Sequence, residues 1–273
     1  MLSRKNVGQT AYWFIFVNLL LAGILLIYFP DTLSSILRED ALAENVGTVF
    51  LLLTSLALFF AAIVLYRQPS DQQQLPWLRI LLLVVAGVVF FWAAGEEISW
   101  GQRIFNWSTP ETLAKVNQQG ETNLHNLNTR FFNNGLETII LLAIVVPTAF
   151  HIKKKKQLFG FPLPSLSLVL GFQLVACYVT YHYIKPQDYL AYLVLPYFLY
   201  LFSKKRDWQN VGRVVLNVLL VIFVGIVNVQ LKKHFPGNGP REFREYLFSV
   251  LCFCYALEMI IDFKNAARSD GVI

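Results

Sequence analysis

Two adjacent carboxylates, Glu96 and Glu97, close an apolar run that begins near Trp77. Charged groups at such a position are costly unless something neutralises or uses them. Ser99, Gln102 and Arg103 follow within two turns, and Glu121, Asn123, His125 and Asn126 form a second polar string. A partly desolvated carboxylate suits acid–base chemistry or the grip of a cation. Glu96, Glu97, Arg103, Glu121 and His125 are therefore the candidate catalytic residues. Ser99, Gln102, Asn123 and Asn126 offer hydrogen bonds to a substrate, while Arg241 and Arg244 offer guanidinium groups to an anionic headgroup. Glu97, His125, His182 and His234 are the candidate ligands of a divalent metal such as zinc, which needs about three protein ligands and an open position for water. No fixed metal spacing of the His-Glu-x-x-His kind accompanies them.

These groups need elements to position them. If the helix that carries Glu96 continues, Ser99 and Arg103 share its face and Glu97 points elsewhere. Ser108-Thr109-Pro110-Glu111 reads as a helix start, with Ser108 at the N-cap and Pro110 in the first turn. Residues 112–118 would extend that helix along the membrane surface, and Gly120 would end it. Trp100 and Trp107 fit an interfacial aromatic belt.

The surroundings are apolar. Of 273 residues 56% are hydrophobic and 15% charged, against roughly 25% charged in a soluble domain. Mean hydropathy is +0.50. Runs long enough to span a bilayer, which takes ~20 residues, lie at 11–29, 48–66, 77–97, 136–150, 165–184, 189–202, 214–231 and 246–263. The predicted fold is an all-α integral membrane protein, a bundle of about eight transmembrane helices in one polytopic domain over 1–273. A polar loop at 98–134 carries the short interfacial helix. The first run is too long for a signal peptide and has no small-residue cleavage site, so it reads as a retained span. Cys177, Cys252 and Cys254 lie within apolar runs and read as packing residues. Gln173 and Asn217 read as hydrogen-bond partners between helices. Glu258 and Asp262, one turn apart beside Lys264, read as a solvated helix end.

The net charge of +6 sits in short clusters at the ends of the runs, as topology signals do. Nucleic acid is therefore not an expected partner; membrane lipids are. With eight crossings both termini share a side, and the larger share of Lys and Arg places that side in the cytoplasm. The block 153–156 is an anchor on that face. On the same count Glu96, Glu97, Arg103, Glu121, His125, Glu137, His182 and His234 all reach the non-cytoplasmic edge, and only His151 lies opposite. From Arg79 to Glu96 a helix rises roughly 25 Å, which leaves the carboxylates at the membrane boundary.

The residues Glu96-Glu97-Ile98-Ser99-Trp100-Gly101-Gln102-Arg103, followed by Asn123-Leu124-His125-Asn126, resemble a signature of multi-pass bacterial membrane proteins that carries no settled activity with it. The nearest family with known chemistry is that of the alkaline-ceramidase-like membrane hydrolases, whose zinc is held by histidines and an aspartate. This chain departs from that pattern in lacking a His-x-x-x-His pair. The resemblance implies only a metallohydrolase at a membrane edge. The first functional expectation is thus a membrane-embedded hydrolase or transferase acting on an anionic lipid or lipid-linked substrate. A non-catalytic assembly subunit and a small-solute or ion transporter are the alternatives.

Overall fold

Ser3 accepts the backbone N–H of Asn6 at 3.2 Å and so starts α1 (Arg4–Tyr28). Pro30, which has no N–H to give, opens α2 (Pro30–Leu37) in its first turn. On α1 the buried positions Ala11, Ile15, Leu19, Ala22 and Leu26 recur at helical spacing, yet Trp13, Val17, Leu21 and Ile24 are exposed on the other side. A helix apolar all round is built for a core or for lipid.

The computed structural model describes residues 3–38, 41–68, 76–117, 120–124, 127–152, 155–178, 186–231 and 239–269. The remaining helices are α3 (Leu42–Tyr66), α4 (Pro76–Glu97), α5 (Gln102–Phe105), α6 (Glu111–Ala114), α7 (Thr129–Ile152), α8 (Leu166–Tyr178), α9 (Pro186–Lys204), α10 (Trp208–Leu231) and α11 (Gly239–Ser269). A minimal antiparallel hairpin, β1 (Gln157–Leu158) with β2 (Phe161–Pro162), precedes α8. Where they are described, the eight apolar runs in the sequence fall on one helix each, α1, α3, α4 and α7 to α11, and residues 179–184 of the fifth run lie outside the described residues. Five of these, α1, α3, α4, α7 and α11, are long and apolar enough to cross a membrane, whereas the described apolar stretches of α8 and α10 are shorter. The described residues are all-α apart from the hairpin, and their helices are those of an integral membrane protein. Among the described residues, length and hydropathy by themselves carry five crossings.

Two apolar clusters share α11. One joins α1, α2 and α7 to α10 with the first half of α11. The other joins α3 and α4 with its second half, through Ala256, Met259, Ile260 and Phe263. Buried polar groups tie the first cluster: Tyr12 donates to Asn217 Oδ1 at 2.7 Å, and Asn217 donates to Gln173 Oε1 at 2.8 Å, linking α1, α10 and α8. Such bonds hold helices together where the hydrophobic effect cannot.

The end of α11 is not solvated as the sequence suggested. Glu258 is 0% exposed. It accepts the N–H of Ser165 at 2.9 Å and meets Arg4 at 3.4 Å, while Arg4 also holds Asp262 at 2.5 Å and the carbonyl of Leu163. Arg4, at the start of the first apolar helix, is the counter-ion that lets Glu258 stay buried. Arg4→Ala leaves that carboxylate uncompensated and is expected to cost about 3 kcal/mol in unfolding by SDS titration from mixed micelles. Adding Glu258→Gln to the same chain should recover most of the loss.

Candidate functional site

Helix α4 stops at Glu97 because the next turn reverses hand. Ser99 (φ 47°), Trp100 (φ 56°) and Gly101 (φ 84°) all lie in the left-handed region, which two non-glycine residues enter only when neighbouring contacts hold them there. The expected common face of Glu96, Ser99 and Arg103 therefore does not form. Instead the Trp100 ring folds back over Gly95, where a Cβ would stand 2.9 Å from it. Its indole N–H donates to Glu96 Oε1 at 2.7 Å, and the N–H of Leu124 donates to Glu96 Oε2. Glu96 is 2% exposed. It clamps the two halves of the polar stretch together.

The rest of that stretch satisfies itself. Ser99 donates to Glu121 Oε2 at 2.7 Å, and Asn123 donates to both Ser99 Oγ and Glu121 Oε2, at 3.0 and 2.8 Å. Asn117 donates to Asn123 Oδ1 at 2.9 Å and accepts the N–H of Glu121 at 3.1 Å. Gln102 donates to Thr109 Oγ1 at 2.6 Å and accepts from the N–H and hydroxyl of Thr122 at 2.8 and 2.7 Å.

These bonds also explain the local departure from expectation. Ser108 is not an N-cap; Pro110 stands there in extended backbone (ψ 136°), without a side-chain cap, and α6 is a single turn. Thr109 is bound to Gly120 O at 2.7 Å, and with Asn117 held to residues 121 and 123 the chain is drawn into the knot. Beyond Ala114 the chain keeps turning only as far as Asn117, whose N–H reaches the carbonyl of Leu113 at 2.9 Å. Gly120 (φ 69°) turns the chain as foreseen.

Glu97 has a different fate from its neighbour. It accepts no hydrogen bond among the described residues and lines a cavity of about 390 Å³ between α3, α4, α7 and α11. That volume falls within the range of small-molecule sites. The wall is apolar and partly aromatic, with Trp92 and Phe132 at 6.2 Å between ring centroids. Helix α4 packs on α3, and α7 packs on α8 and α9, so the cavity opens sideways between α4 and α7. The lining residues Val89, Phe131 and Ile139 are 54%, 68% and 54% exposed at that opening.

The polar end of the cavity is carboxylate-rich. Oxygens of Glu97, Glu242 and Glu245 lie within 4.8 Å of one another. Arg241 reaches Glu242 at 3.1 Å and Glu245 at 3.6 Å. Arg244 is buried and committed to Glu137 of α7 at 3.1 Å and to Glu245 at 3.8 Å. The charge of Glu44, from the first turn of α3, acts on Glu97 and Glu242 as well. No family model, curated protein or solved structure matches this chain.

The structure thus gathers Glu96, Ser99, Gln102, Glu121 and Asn123 into one hydrogen-bonded stretch, and places Glu96, Glu97 and Arg241 on the wall of a cavity, with Arg244 paired to Glu137 instead. His125, Asn126, His182 and His234 lie outside the described residues, as does the side chain of Arg103. Among the described residues, the oxygens that come together would suit a hard cation such as Mg²⁺ or Ca²⁺ rather than zinc. Arg241 competes for two of those carboxylates. Sequence reasoning passed over Glu242 and Glu245. Their signal was present in Arg241-Glu242-Phe243-Arg244-Glu245, two carboxylates at i, i+3 on the side of the membrane already assigned to Glu97.

The two adjacent glutamates should separate in experiment. Glu96→Ala removes the acceptor for Trp100 and Leu124, so amide exchange over 98–124 should rise by at least tenfold. Glu97→Gln should leave the exchange of that stretch unchanged. Equal exchange in wild type and Glu96→Ala would show that the clamp is not what closes the loop.

Proposed function

We propose that this chain is a membrane-embedded enzyme, a hydrolase or transferase, acting on a lipid or lipid-linked substrate with Glu97 as its acid–base group. The observation that carries the reading is the form of the cavity: apolar walls, a sideways opening between α4 and α7, and ionisable groups gathered at one end. An amphiphile entering from the leaflet would lay its chain against Phe131, Phe132 and Ile139 and bring its polar part to Glu97. A side chain positioned for proton transfer contributes on the order of 100- to 10,000-fold, and Glu97 has no structural bond to break in doing so. If a divalent ion takes part, Glu97, Glu242 and Glu245 are its ligands, and it would polarise the bond under attack.

The accompanying topology has eight crossings, with both termini in the cytoplasm and the cavity's polar end at the non-cytoplasmic edge. The basic clusters at 153–156 and 204–206 support it. A green fluorescent protein fused after residue 273 should fluoresce, and alkaline phosphatase fused at the same place should be inactive. The reverse pattern would invert the assignment.

The catalytic reading is tested with purified protein in nanodiscs made from a bacterial polar lipid extract, followed by mass spectrometry of every lipid species. Wild type should convert at least one species, and Glu97→Gln should do so on the order of 100-fold more slowly with unchanged folding. Equal turnover by the two proteins would remove Glu97 from the chemistry. A second reading, that of an assembly subunit, draws on the exposed Ile104, Phe105 and Val116 of the polar stretch. Stable co-purification of a partner, lost on changing these three to Ser, would favour it.

A further inference from the structure

The same cavity, taken as the substrate site just proposed, carries a statement about the substrate's charge. A headgroup reaching its polar end meets Glu97, Glu245 and Arg241, with the buried Glu242 close behind, its oxygen within 4.8 Å of those of Glu97 and Glu245. The arginines that the sequence offered to an anion are already engaged. Arg241 holds Glu242 and Glu245, and Arg244 is buried against Glu137 and Glu245. Arg241 Nε and Arg244 Nε make no hydrogen bond, but an anionic headgroup reaching them would stand beside the carboxylates of Glu97, Glu242 and Glu245, whereas a cationic one completes the charge pattern without breaking an ion pair. Glu97 is available for it, since it accepts no hydrogen bond among the described residues.

The wall agrees with the charge. Trp92, Phe131 and Phe132 line the cavity that Glu97 and Glu245 close. Aromatic faces attract ammonium groups, and tryptophan does so best. We infer that the substrate of this site is a cationic amphiphile, an apolar chain bearing an amine or quaternary ammonium group, held by Glu97 and Glu245 with its chain lying out between α4 and α7. Hydrogen bonds to the carboxylates would favour a primary amine, and the aromatic wall would accept a quaternary one as well.

The test uses the full chain in decyl maltoside micelles, which carry no charge. Three chain-brominated dodecyl probes are added at low mole fraction, bearing a trimethylammonium, a phosphate or a maltoside head. Bromine quenches nearby indoles, and the signal lost in Trp92→Phe isolates quenching inside the cavity. The ammonium probe should quench at a mole fraction at least tenfold lower than either of the others. Glu97→Gln should remove most of that preference, and Glu245→Gln provides a second variant should the first not fold. A phosphate probe that binds as tightly or more tightly, with or without added Mg²⁺ or Ca²⁺, overturns the inference and leaves the lipid-site reading standing. An ammonium preference that survives both variants also overturns it. Absence of Trp92 quenching by all three probes overturns the inference and the lipid-site reading together.

Discussion

Charge buried along α11 is what the other helices must accommodate. This helix passes between two apolar clusters and carries Arg241, Glu242, Arg244 and Glu245 at its start and Glu258 and Asp262 near its end. A charge out of water without a partner is costly far beyond the worth of any single packing contact. Each therefore dictates a neighbour. Glu258 needs Arg4 and the N–H of Ser165, which brings the start of α1 and α8 to one end. Arg244 needs Glu137, which brings α7 to the other. Apolar packing lets these helices associate in many registers; the ion pairs select one.

Within that frame two consecutive glutamates reach opposite outcomes. Glu96 turns toward the polar loop and is consumed by Trp100 and Leu124. Glu97, about 100° further round the helix, faces the cavity and keeps its oxygens free of hydrogen bonds among the described residues. The first is a fastening, and the second is the group to which the proposed function assigns the chemistry. Neutralising both with one double substitution would confuse a folding defect with a loss of function, so the pair has meaning only when taken apart.

Much of the architecture was legible from composition and run length, since a long apolar segment has few stable forms in lipid other than a helix. Where they are described, the eight runs fall on one helix each, and the gathering of Glu96, Glu97, Glu121 and Glu137 at one end follows from counting crossings. The path after Glu97 was not legible. Helical continuation through Ser99 is the natural local reading, and it fails because Glu121 and Asn123, more than twenty residues away, hold Ser99 in a left-handed turn. Ser108 failed as a cap for the same kind of reason: the loop's own bonds outweigh a local preference worth ~1 kcal/mol. Arg241 and Arg244 were recognised as polar anchors, but their engagement by Glu242, Glu245 and Glu137 depends on side-chain directions that spacing does not reveal.

Under the proposed function, the sideways mouth between α4 and α7 changes what concentration means for this protein. In a bilayer such an opening samples the leaflet rather than the water beyond it, so the quantity that sets occupancy is the mole fraction of ligand among lipids. A compound with almost no aqueous solubility then arrives without delay, while a soluble analogue of the same headgroup stays dilute where it matters. Encounter becomes a two-dimensional process, governed by lateral diffusion and by which leaflet the ligand occupies. Dilution of the protein in buffer leaves it untouched, and dilution with added lipid does not.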